Sequence, residues 1–153
     1  MGYVMECSCG HQTGAANIVD LIRSHTDPQG WLVCGQCNRP GAYIQRRSEL
    51  QEGELWERCI KGAIPVETDY PTYTPYVFLT AASPTDEPTG VHFNYYKDTR
   101  SDGGRLKHGH GPGGAPVLSL DELLQLLRKL GRARFLTPEH LEQVASEIRN
   151  QAG

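Results

Sequence analysis

The chain has 153 residues, of which 38% are hydrophobic and 22% charged, with a formal net charge of −3. That composition suits a globular chain with long loops and lacks the strongly basic footprint of a protein that lives on phosphate backbones. No run of 18 apolar residues exists to span a membrane as a helix, and the opening Met1–Cys7 segment has neither the basic start nor the apolar stretch of a signal peptide, so a cytoplasmic location is expected.

The first informative feature is a pair of cysteine clusters, Cys7-Ser8-Cys9-Gly10-His11 and Cys34-Gly35-Gln36-Cys37-Asn38. In a reducing compartment, tight cysteine pairs favour metal ligation over disulfides. Zinc takes four soft or borderline ligands in a tetrahedron, and two thiolates on one tight turn can aim at one point. Gly10 and Asn38 each follow the second cysteine of a pair, where a turn needs a residue that tolerates left-handed backbone. Cys7, Cys9, Cys34 and Cys37 are therefore the expected ligands of one structural zinc ion. His11 in place of one cysteine, a redox dithiol and unrelated free thiols are the competing readings. Cys-x-x-Cys redox motifs usually open a helix, whereas this one follows a strand-like run and leads into Arg39-Pro40-Gly41.

Between the clusters, Ala15, Ile18, Val19 and Ile22 recur at helical spacing and predict a helix of about three turns. The Asp27–Gly30 turn ends it, Trp31-Leu32-Val33 reads as a strand into the second cluster, and Ala42–Gln45 as a strand out of it. The pattern Cys-x-Cys-Gly-His … Cys-x-x-Cys resembles the zinc ribbons of many transcription factors, ribosome-associated proteins and small accessory subunits. The resemblance covers about residues 5–47 and implies a fold and a metal, not a function.

Further on, Cys59 reads as a small buried side chain in a strand, with a catalytic nucleophile as the sharper alternative. Residues 70–76 carry prolines that argue for irregular backbone. Tyr76–Thr80 and Val91–Tyr96 read as an antiparallel pair of strands. Residues 97–116 then form a glycine- and histidine-rich stretch with Arg100, Arg105, Lys107, His108 and His110, expected to be a long loop. It could hold an anion or a partner, or a second metal through His108 and His110, although it lacks the ending of a phosphate-binding P-loop.

Ser119 and Glu122 form a capping box, and Leu120, Leu123, Leu124, Leu127 and Leu130 share one helical face up to Gly131. Thr137 and Pro138 open a second helix with Leu141, Val144, Ala145 and Ile148 on its face. These elements predict a helical hairpin, residues 118–151, whose apolar faces read as core, with docking on a partner as the alternative.

The expected class is α+β: a zinc-ribbon module with an inserted helix (1–47), then a small antiparallel region, the 97–116 loop and the hairpin (48–153). The functional reading is a non-catalytic accessory or adaptor protein that binds another protein. One alternative is a nucleic-acid-binding module, drawing on Arg46, Arg47, Phe93, Tyr95, Tyr96, Lys97, Arg100, Arg105 and Lys107. Another is an enzyme that holds an anionic substrate on the 97–116 loop, with His108 or His110 as acid or base.

Overall fold

The computed structural model describes residues 2–51, 54–109, 116 and 118–151, with backbone alone for 47–51, 54–57 and 108. Among these residues the fold is α+β, a seven-stranded antiparallel sheet with three helices. The strands are β1 (Tyr3–Glu6), β2 (Gln12–Ala15), β3 (Tyr43–Gln51), β4 (Glu54–Pro65), β5 (Tyr73–Ala81), β6 (Gly90–Asp98) and β7 (Leu106–His108). Their order across the sheet is β2-β1-β3-β4-β5-β6-β7. Hairpins link most neighbours, while β3 returns beside β1 after the helix α1 (Ile18–His25).

Helix α1 starts where the Asn17 side chain accepts the Val19 amide at 2.8 Å, and it spans 8 residues. The expected three turns shrink because Ala15 belongs to β2, paired with Tyr3. After the helix, the Asp27 carboxylate accepts the Gln29 and Trp31 amides at 2.9 Å each and closes the turn. Gly62 gives this turn room against β4, since a Cβ there would collide with the Gly30 carbonyl. The Trp31–Val33 segment makes isolated bridges to Gly62, Thr26 and Pro40 rather than the expected regular strand.

Two apolar clusters sandwich the sheet. On one face Ile18, Val19, Leu21 and Ile22 of α1 pack with Met5, Ile44, Ile60, Tyr76 and Phe78. On the other, Leu126, Leu130 and Ala133 pack with Ile64, Val66, Val77 and Leu79. Strand β5 alternates between them, so its successive residues from Tyr76 to Ala81 are all buried. Cys59 is buried in β4, as the sequence suggested, and its thiol donates to Gln45 Oε1 at 3.0 Å.

Three expectations change here. Pro75 lies inside β5 rather than in irregular chain: its carbonyl accepts the Val66 amide just past the end of β4, so its missing N–H falls beyond that ladder. Residues 97–108 are mostly not a loop. Lys97 and Asp98 finish β6, Arg100–Asp102 form a 3₁₀ turn, and β7 pairs back on β6. The third concerns α2 (Leu120–Arg132), whose capping box is present as expected. It runs through Gly131, and Arg134, at φ 59°, supplies the left-handed turn, with the Phe135 amide reaching back to the Leu130 carbonyl at 3.1 Å.

The leucine face of α2 is also not core. Of the five leucines on it only Leu130 is buried; Leu120, Leu123, Leu124 and Leu127 are 39% to 71% exposed. The helix instead seats the neighbouring row Leu126–Leu130–Ala133 on the sheet, because residues spaced by four and three share one side. Helix α3 (Pro138–Gln151), opened by Thr137, buries none of its residues.

These placements are testable by chemical denaturation. Leu126→Ala is expected to cost about 2–5 kcal/mol, as a truncated core leucine does. Leu124→Ala should stay within about 0.5 kcal/mol of the parent, as surface changes do. Equal losses would mean that α2 is rotated from the orientation described.

Candidate metal centre

Cys7 and Cys9 sit in the turn between β1 and β2, and Cys34 and Cys37 in the turn that leads to β3. The pairing of β1 with β3 at Met5–Ile44 and Glu6–Tyr43 brings the two turns together. Tyr43 reinforces that junction by donating its hydroxyl to Glu6 Oε2 at 2.7 Å, and this bond pushes the phenol up to about 12.

Both turns close on the carbonyl of their first cysteine, one over three residues and the other over four. The Gly10 amide returns to the Cys7 carbonyl at 2.9 Å, with Gly10 at φ 86°. The Asn38 amide returns to the Cys34 carbonyl at 3.0 Å, with Asn38 at φ 53°. Both positions that the sequence marked for left-handed backbone adopt it. At Gly35, His25 from the end of α1 lies against the backbone, and a Cβ there would sit 3.1 Å from His25 Cε1. That contact joins residues ten apart through the fold, so no local pattern announces His25.

The four sulfurs lie within 4.8 Å of one another and could hold a metal ion. Cys7 Sγ is 3.8 Å from Cys37 Sγ, and Cys9 Sγ is 3.7 Å from Cys34 Sγ. A tetrahedral site with metal–sulfur bonds of about 2.3 Å has sulfur–sulfur edges of about 3.8 Å, so both pairs match its edges. Cys7 and Cys34 are buried, Cys37 is half-buried and Cys9 is exposed. His11 stands outside the group, its Nε2 3.1 Å from Thr13 Oγ1.

The backbone also prepares the Cys34 thiol for ionisation. Amides of Cys37 and Gln36 aimed at Cys34 bring its thiol down to about 6, despite burial. At Cys9 the His11 amide pulls downward, yet hydrogen bonding with Cys7, desolvation and the sulfurs of Cys34 and Cys37 together push the thiol up to about 11. Between these two, Cys34 is the sulfur that carries charge first. A metal ion would offset the penalty at Cys9, since thiolates, not thiols, are its ligands.

The cationic stretch is dispersed by comparison. Arg100 turns inward, 3.1 Å from Asp20 and 2.8 Å from Asp98, and Arg23 also meets Asp98 at 3.0 Å. Arg100 above all, with Arg23, holds the Asp98 carboxyl down at about 2. Arg105 and Lys107 are exposed, His108 is placed in β7 by its backbone, and His110 lies outside the described residues. A separate cleft of about 440 Å³ opens between α1, the Asp27–Gly30 turn and the end of α2, bordered by Arg23, Lys129 and Arg132. Sequence reading missed it because its walls come from distant segments.

No family model, curated protein or solved structure matches this chain, so its chemistry is read from its own residues.

A centre of this kind couples metal to folding. Exhaustive chelation should lower the thermal midpoint and loosen residues 5–47. Zinc should restore the midpoint where magnesium and calcium, which prefer oxygen donors, do not. An unchanged melting curve after complete chelation would remove the metal from the fold.

Proposed function

We propose that this chain is a non-catalytic zinc-binding accessory or adaptor protein that works by binding another protein. Four sulfurs within 4.8 Å of one another, two of the pairs at tetrahedral edge length, support one closed structural zinc ion, with no ligand position left for a substrate or water. A ribbon-like module over residues 1–47 then serves as a rigid end to the sheet. A reducing compartment such as the cytoplasm keeps the four thiols available to the metal.

The observation that carries the adaptor reading is the uncovered apolar surface of the C-terminal helices. Leu120, Leu123, Leu124 and Leu127 of α2 face solvent, and so do Leu141, Val144 and Ile148 of α3. Both helices have their N-terminal caps in place, so they are well formed without that surface being buried. A contiguous apolar stripe on a capped helix, rimmed by charge, fits the helix-in-groove mode of protein recognition. The partner implied is a protein offering a hydrophobic groove or a second amphipathic helix.

Two measurements test this reading. Metal analysis of untagged protein purified without chelator should find about one zinc per chain, and Cys34→Ser or Cys37→Ser should lose it. Separately, the chain should co-purify with one protein in fixed stoichiometry from nuclease-treated extract. Leu124→Glu with Leu127→Glu should lose that protein while keeping zinc and secondary structure. Recovery of the same protein by the double variant, or a parent that stays alone, would overturn the adaptor role.

A further inference from the structure

We propose that the outer face of strands β5–β7 binds single-stranded nucleic acid of no fixed sequence. The register places two kinds of side chain on this face. Along β6, Phe93, Tyr95 and Lys97 alternate onto the side opposite α1, because successive strand residues point to opposite faces. Across the strands, Lys97 lies directly opposite Tyr73 of β5 and Lys107 of β7. Tyr73 and Tyr95 pack at 5.4 Å between ring centroids with their planes tilted by 41°, and Phe93 is 44% exposed.

The lysine pair decides which partner this face suits. Two like charges directly opposite on neighbouring strands destabilise a sheet. Both lysines are exposed, and among the described residues neither has a carboxylate within salt-bridge distance. A phosphate seated over them supplies the missing negative charge. The neighbouring rings supply flat surfaces for bases, with Phe93 and Tyr95 about 7 Å apart along the strand. An apolar protein surface would bury both ammonium groups without compensation, at a large desolvation cost. A duplex would hide its bases from the rings, so stacking selects a single strand.

The fold also sorts the cationic-aromatic stretch of the sequence. Tyr96 points to the other face, packing on Tyr76 at 5.9 Å between centroids, and Arg100 is held by Asp20 and Asp98. Neither belongs to the platform. With a net charge of −3 the chain has little long-range attraction for phosphate, so affinity comes from these local contacts.

The test is fluorescence anisotropy with a labelled 12-nucleotide uridine strand, a deoxythymidine strand of equal length, and a 12-base-pair duplex, from about 50 to 200 mM salt. Both single strands should bind, and the duplex at least about tenfold more weakly. Two lysine–phosphate contacts predict that log K falls with log salt at a slope of about −1.4. Phe93→Ala should weaken binding by about 5- to 150-fold, the loss of one stacked base. Lys97→Glu with Lys107→Glu keeps a like-charged pair, so the fold is not favoured or penalised anew, and it should abolish binding and the salt slope together. Leu124→Glu with Leu127→Glu should bind the strands as the parent does, which separates this face from the protein-binding helices. Absence of binding at low salt, equal affinity for the duplex, or unaltered binding by the folded Phe93 and lysine variants would each overturn the proposal.

Discussion

Four thiols held within a few ångströms of one another impose a constraint that the N-terminal third of the fold has to meet. Once ionised they repel strongly, and when protonated they offer only weak hydrogen bonds. Such an arrangement suits a cation, which four sulfurs this close could hold. Everything nearby serves it: left-handed turns at Gly10 and Asn38 aim the sulfurs, amides steady Cys34, and the β1–β3 pairing locks one turn against the other. The same pairing joins this region to the main sheet, because β3 begins beside the cysteines and continues through position 47 to Gln51.

From that anchored end the sheet is covered unevenly. Helix α1 closes one face through a compact apolar cluster. Helix α2 closes part of the other with a single row of three residues, which leaves its leucine stripe, helix α3 and the face of β6 open to solvent. Exposed apolar area on well-capped helices is costly to solubility unless another molecule covers it. The open faces differ in chemistry: leucine and valine on the helices, aromatic rings with lysines on the sheet.

Local chemistry made much of this readable in advance. The cysteine spacing with its following Gly10 and Asn38 marked the cluster of four sulfurs that could hold a metal ion, the Ser119–Glu122 box marked the start of α2, and the aromatic runs marked β5 and β6. What failed did so for tertiary reasons. Pro75 reads as a strand breaker until its position beyond the β4 ladder is known. Residues 97–108 read as loop because the glycine-rich turn hid a short strand that, among the described residues, pairs with β6. Leu126 was overlooked because amphipathic periodicity finds the most apolar stripe, and the sheet took the adjacent one.

Local sequence alone was enough to mark α2 and its cap, the β5–β6 pair and the four cysteines that cluster, since caps, turns and paired cysteines act over a few residues and need no distant partner. Tertiary structure alone decided which helix row is buried and that His25 backs the second cysteine turn. It also set Lys97 opposite Lys107 and withdrew Arg100 from that face. Those outcomes depend on strand register and on which surfaces meet, and register is fixed only when the whole sheet assembles.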